Sequence, residues 1–139
     1  ELLFFSYRDF TSGPDKILEK LNFGRAHHRV IYFVGKKNHI TIKELLGVLQ
    51  ITKQSLSRVL NQLVSEKFIL VSTGTDKRTK KLSLTEKGKK LENELSTIQI
   101  KKIREVINRF DVENINGFKQ ILYEMIEDNN KKTFQEIND

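Results

Sequence analysis

The stretch Ile40–Gly88, ITIKELLGVLQITKQSLSRVLNQLVSEKFILVSTGTDKRTKKLSLTEKG, sets the architecture. Thr41-Ile42-Lys43-Glu44 is a capping box, with threonine capping the helix start and glutamate reaching back three residues later. The helix it opens, 42–49, is short and amphipathic through Leu45, Leu46, Val48 and Leu49. Gln50-Ile51 is a turn, and Thr52 is the next cap. Over 53–67 the apolar residues Leu56, Val59, Leu60, Leu63 and Val64 recur at the spacing of one packed helix face. Residues 68–72 are β-branched and apolar, 80–84 alternate, and 74–79 join them, which predicts a hairpin with a basic tip. Thr85 and Glu86 then open a long helix. The segment therefore reads as a helix-turn-helix followed by a wing.

Charge is concentrated on the same segment. The chain holds 25 Lys+Arg and 18 Asp+Glu, a net of +7. Ile51–Lys90 holds ten of the bases and three of the acids, so it carries the whole excess, and the other residues balance at 15 and 15. A solvated basic face is the bland explanation. A polyanion partner explains the focusing better, because phosphate neutralisation dominates affinity for nucleic acid. In a helix-turn-helix, the first turns of the second helix meet base edges. Its polar face here offers Gln54, Ser55, Ser57 and Arg58 for that role, since arginine suits guanine and glutamine suits adenine. Thr52, Lys53, Asn61 and Gln62 are expected at phosphates or the rim. In the wing, Asp76, Lys77, Arg78 and Lys80 complete the candidate DNA-binding set. Arg78 suits a narrow minor groove, and Asp76 is read as orienting it or a neighbouring base.

Outward from this core, the chain reads as mostly α. Residues 1–37 are N-terminal helices, 38–88 the winged helix-turn-helix lobe, and 89–139 long C-terminal helices. In residues 1–22 the apolar spacing is helical, but Gly13-Pro14 interrupts it. Either one kinked helix or two helices breaking near Ser12 would fit. Phe4, Phe5, Tyr7 and Phe10 exceed what one small helix needs, so a partner subunit or the chain's own C-terminal helices must cover them. Residues 25–37 form a second helix with Ala26, Val30, Ile31, Phe33 and Val34 inward. Asn38-His39-Ile40 is a short connection with the makings of a strand. A helix of about 25 residues from Thr85 carries Leu91, Leu95, Ile98, Ile103, Val106, Ile107 and Phe110. Asp111 caps another, with Ile115, Phe118, Ile121, Leu122, Met125 and Ile126 inward. The polar tail after Asp128 is expected to fray unless Phe134 and Ile137 dock.

Several function classes are excluded or disfavoured. With no cysteine there is no disulfide, thiolate metal site or cysteine redox sensor. This fits a cytoplasmic protein. His27, His28 and His39 are three histidines without further ligands, so no metal is expected, and packing roles are favoured over a ligand pocket or pH sensor. No apolar run approaches the roughly 20 residues that span a bilayer, so no membrane partner is expected. Glu1 rather than Met opens the chain, so residues upstream of it are expected. No nucleophile–base spacing, paired carboxylates or Gly-rich phosphate loop points to an enzyme or to a cofactor. A winged-helix protein-interaction module and a nonspecific chromatin-type binder are the alternatives to sequence-specific duplex binding.

The order helix, helix, helix-turn-helix, wing, long helix, long helix resembles the MarR family of bacterial transcriptional regulators. The resemblance rests on ITKQSLSRVLNQLVSEKFI and TDKRTKKLSLTEKG. The family's Asp-x-Arg falls on Asp76-Lys77-Arg78, and its Leu-Thr-x-x-Gly on Leu84, Thr85 and Gly88. LFFSYRDF and FGRAHHRV resemble, more narrowly, the PetP-type regulators of alphaproteobacteria. The resemblance implies a homodimer built by the N- and C-terminal helices, acting on a pseudo-palindromic operator. It also implies a small aromatic or phenolic effector bound between the dimerisation and DNA-binding parts, for which Tyr7, Arg8, His27, His28 and Arg29 are the candidate lining. The cysteine-based peroxide sensors of the family are excluded.

Overall fold

A computed structural model describes residues 1–74 and 78–138. Its elements are α1 (Leu2–Lys20), α2 (Arg25–Lys36), β1 (Ile40–Thr41), α3 (Ile42–Leu49), α4 (Lys53–Ser65), β2 (Ile69–Thr73), β3 (Lys80–Leu84), α5 (Glu86–Ile107), α6 (Val112–Glu124) and α7 (Asp128–Asn138). The antiparallel sheet is ordered β1-β3-β2. Ile40 faces Leu82 across one ladder, and Val71 faces Leu82 across the other. One core cluster runs from Leu18 and Phe23 through Val30, Ile31, Val34, Leu45, Leu56 and Leu63 to Leu91 and Leu95. It joins the end of α1 to the first half of α5.

The caps form where the sequence places them. Thr41 Oγ1 accepts from the Glu44 amide at 3.2 Å, and the Thr41 amide donates to Glu44 Oε2 at 2.7 Å. These Thr41 hydrogen bonds, with Lys37 nearby, draw the Glu44 carboxyl down to about 2. The turn into α4 needs Gln50 in the left-handed region, at φ 48°. α4 stops in a Schellman motif. The Phe68 amide bonds the Leu63 carbonyl at 2.8 Å, the Lys67 amide bonds Val64 at 3.0 Å, and Lys67 itself takes φ 63°.

The structure decides two readings that the sequence left open, at Gly13-Pro14 and in the tail, and corrects two others. α1 is one helix through Gly13-Pro14, not two. Thr11 and Ser12 hydroxyls bond carbonyls of the preceding turn, and Lys102 of α5 donates to the Asp9 carbonyl. Gly13 is there for close approach: a Cβ on it would stand 2.7 Å from Ile98 Cγ2 of α5. Ala26 and Val64, read as inward, are exposed. On α6, Phe118, Ile121 and Met125 point away from the protomer, at 57%, 62% and 60% exposure. Of the two outcomes open for the polar tail, the structure shows docking: it forms α7, which packs on α3 and places Ile137 against the core.

The wing is tied to α4 and α5 at one junction. Thr85 donates its hydroxyl to the Lys67 carbonyl at 2.7 Å and accepts from the Gly88 amide at 3.0 Å. The Thr85 amide donates to the Phe68 carbonyl at 3.0 Å. α5 passes so close to that carbonyl that a Cβ on Gly88 would lie 2.1 Å from the Phe68 oxygen. Backbone faces backbone there, so no side-chain rotation relieves the clash. Gly88→Ala is expected to cost about 3 kcal/mol or more, read as a lowered urea midpoint at unchanged slope. An unchanged midpoint would refute the close approach.

Candidate nucleic-acid interface

The polar face of α4 is open. Thr52, Lys53, Gln54, Ser55, Ser57, Arg58 and Asn61 are all exposed, while Leu56, Val59, Leu60 and Leu63 are buried beneath them. Burying each leucine contributes about 1.5–3 kcal/mol, which anchors the helix without using its polar face. Thr52 Oγ1 accepts from the Ser55 amide at 3.1 Å and donates to Ser55 Oγ at 2.9 Å. The cap thus leaves the Ser55 hydroxyl its own proton to donate outward. Among the described residues, the side chains of Lys53, Arg58 and Lys80 make no hydrogen bond or ion pair. A groove of about 350 Å³ between α4 and the hairpin gathers Lys53, Ser57, Asn61 and Lys80. The structure therefore brings one helix face and one strand of the wing into a single basic surface. Arg78 is exposed at the wing tip. Asp76 and Lys77, and with them the proposed Asp76–Arg78 contact, lie outside the described residues.

Gln62 departs from this face, and the expectation that it meets phosphate is corrected. Its Oε1 lies 2.8 Å from His27 Nε2, and its Nε2 donates to Glu66 Oε1 at 3.1 Å and to the Asn22 carbonyl at 3.4 Å. The Gly24 amide donates to His27 Nδ1 at 3.1 Å, which leaves Nε2 as the ring's N–H and hence the donor to Gln62. Phe23 stacks on the His27 ring at 4.6 Å and meets Phe68 edge-on at 5.2 Å. Two residues assigned by sequence to different sites thus form one clasp between the α1–α2 junction and α4.

His27 is accordingly not in the candidate effector pocket. Arg8 is not either: it pairs with Asp9 at 3.0 Å and lies over the Phe5 ring. Tyr7, His28 and Arg29 do line a cavity of about 380 Å³ between α1, α2 and α5. Arg29 donates to the Tyr7 hydroxyl at 3.1 Å. Burial pushes the His28 imidazole down, against the pull of Asp15 and Glu92, which favours its neutral form. Sequence reasoning missed Phe10, Tyr32, Ser96 and Ile100 in the same wall. Tyr32 and Ile100 sit on amphipathic helices and read as ordinary surface or core positions.

Comparison with known proteins agrees with this architecture. The model of the MarR family matches residues 21–79. HTH-type transcriptional regulator PetP of Rhodobacter capsulatus is 40% identical over 140 residues, spanning 100% of this chain and 84% of that protein. The chain belongs to the MarR family. It is a DNA-binding transcription regulator of the MarR winged-helix type, not an enzyme. Among solved structures, FabT of Streptococcus pneumoniae in complex with DNA superposes at a TM-score of 0.78, with 18% identity over 88% of this chain and 89% of that one. The S. aureus MepR–DNA complex superposes at 0.69, with 21% identity over 89% and 93%. A SlyA-like regulator from Listeria monocytogenes gives 0.73, with 20% identity over 88% and 82%. These distant neighbours share the mostly helical fold with its small antiparallel sheet.

The clasp generates a test within this MarR-family chain. His27→Ala and Gln62→Ala are expected to destabilise the protein non-additively, with a coupling of about 1 kcal/mol in urea-unfolding double-mutant cycles. Additive effects would mean the two side chains act independently.

Proposed function

We propose that the protein acts as a homodimer on a pseudo-palindromic operator, in the cytoplasm, with the two α4 helices in successive major grooves about 34 Å apart. The observation that carries this is the pairing of a basic reading surface with an uncovered apolar one. Leu2, Phe4, Ile100, Val106, Phe118 and Ile121 are about half to four-fifths exposed, on α1, α5 and α6. Apolar area of that kind marks an interaction surface in a stable protein. A second copy would cover it, leaving α4 and the wing free on each protomer.

In this reading Gln54, Ser55, Ser57 and Arg58 address base edges, and Thr52, Lys53 and Lys80 address phosphates. Arg78, with Lys77 and Asp76, enters the flanking minor groove. The division of the chain follows: residues 38–88 read the duplex, while 1–37 and 89–139 pair the protomers. The cavity at Tyr7, His28 and Arg29 lies within the pairing part, among α1, α2 and α5, and suits a small aromatic effector. Such a ligand would release the operator only by binding the released arrangement of the lobes more tightly than the bound one.

Selection of duplexes from a random pool, with native mass measured alongside, tests the proposal. A pseudo-palindrome bound by a dimer is the expected result. Arg78→Ala is expected to weaken all duplexes and reduce the salt slope by about one. Arg58→Ala is expected to relax one base position by about 1–3 kcal/mol. A monomer, or binding without a motif, would contradict it.

A further inference from the structure

We propose that the free edge of β2 binds an extended, acidic protein segment as a fourth strand of the sheet. The sheet is ordered β1-β3-β2, so β2 has one neighbour. Which of its backbone groups face outward follows from the ladder. The Thr85 amide donates to the Phe68 carbonyl, and the Gly74 amide donates to the Thr79 carbonyl at 2.8 Å. Hydrogen-bonded and non-bonded pairs alternate in an antiparallel ladder, and the register runs from Ile69 opposite Leu84 to Thr73 opposite Lys80 without a bulge. Leu70 and Ser72 therefore exchange hydrogen bonds with Ser83 and Lys81, while Val71 and Thr73 turn their amides and carbonyls away from β3. Among the described residues, no hydrogen bond reaches those outward groups. Ile69 turns the same way but is buried, so the open edge runs from Val71 to Thr73.

Two features separate this edge from a merely solvated one. Exposed edges are ordinarily blunted by a lysine, a proline, a bulge or shortness. The sheet's other edge, β1, is two residues long. β2 uses none of these devices: Ile69-Leu70-Val71-Ser72-Thr73 is uncharged and unbulged, and Leu70 and Val71 are exposed. The second feature is the groove of about 350 Å³ between α4 and the hairpin, where Val71 stands with Leu60 and Val64. A strand laid against Val71 finds an apolar slot there for its own side chain on that face. Main-chain bonds then supply affinity and the slot supplies selectivity, as in strand addition generally.

Charge selects the occupant. Ile51–Thr85 carries seven bases against two acids, Glu66 and Asp76. Lys67 precedes the strand, Lys80 stands opposite Thr73, and Lys53 lines the same groove. A second copy of this chain would set its own basic hairpin against this one, and like charges repel. Nucleic acid meets the same lysines but has no strand to offer the edge. An acidic segment of β-branched residues matches both the charge and the unpaired backbone. The inference goes beyond the DNA-binding reading and does not rest on it.

Titration of the full chain with the end-blocked peptide EVTVTVE, followed by calorimetry and amide NMR, tests the assignment. Saturable one-to-one binding is expected, with the Val71 and Thr73 amides shifting and exchanging more slowly with solvent. The peptide with lysine in place of both glutamates is expected to bind roughly tenfold more weakly or worse. Val71→Pro removes an outward N–H and no bond to β3, so the hairpin persists, and it is expected to weaken the acidic peptide by roughly tenfold or more. Val71→Glu keeps the backbone, sets a like charge beside the peptide, and is expected to weaken it comparably. The proposal is overturned if the acidic peptide does not bind, if the lysine peptide binds as well, or if Val71→Glu binds as wild type does. Protection of the Val71 and Thr73 amides by oligothymidylate in place of the peptide overturns it as well.

Discussion

The backbone of Gly88 pressed against the Phe68 carbonyl is the contact on which the reading lobe depends. Three elements end or begin there: α4 ends at Ser65 with its closing turn at Lys67, β2 starts at Ile69, and α5 starts at Glu86. Thr85 serves all three, by donating to Lys67, accepting from Gly88 and donating its amide to Phe68. Because α5 has no room to draw back, the direction of the wing is set relative to α4. A helix face and a hairpin can read one duplex only if that relation holds. The Leu-Thr-x-x-Gly signature is therefore a packing constraint before it is a family mark.

The lobe is also held from behind. The His27–Gln62 clasp fastens α4 to the α1–α2 junction, and the Gln50–Asn130 bond fastens the turn before α4 to α7. Both ends of the reading helix are thus reached by segments outside the helix-turn-helix. Movements of α1, α2 or α7 have a direct mechanical route to the polar face of α4. The exposed apolar residues Leu2 and Phe4 lie at the other end of α1 from the α1–α2 junction, so in the proposed dimer the pairing surface and α4 would be joined through α1.

Much of this was legible in the sequence because the signals were local. Thr41, Thr52, Thr85 and Asp111 each cap the helix that follows them, and the Leu56–Leu63 periodicity gives the buried face of α4. What was not legible depends on contacts between distant segments. Gly13-Pro14 reads as a break, yet α5 crosses at Gly13 and supplies a lysine to the turn. Gln62 looks like its polar neighbours until His27 arrives from 35 residues away. The apolar residues of α6 have helical spacing whichever way they face, so periodicity could not say that they point outward. α7 is polar in composition, and only its docking on α3 makes it a stable helix.

Native-state hydrogen exchange at the Thr85 junction is the most direct measurement of whether α4, the wing and α5 form one unit. The amides of Phe68, Thr85 and Gly88 come from the α4–β2 turn, the cap of α5 and its first turn, and each is hydrogen-bonded in the junction. The account predicts that they open with a single free energy, in the same step as the core amides of α4. Opening of the wing and Thr85 at distinctly lower free energy than Phe68 would contradict it.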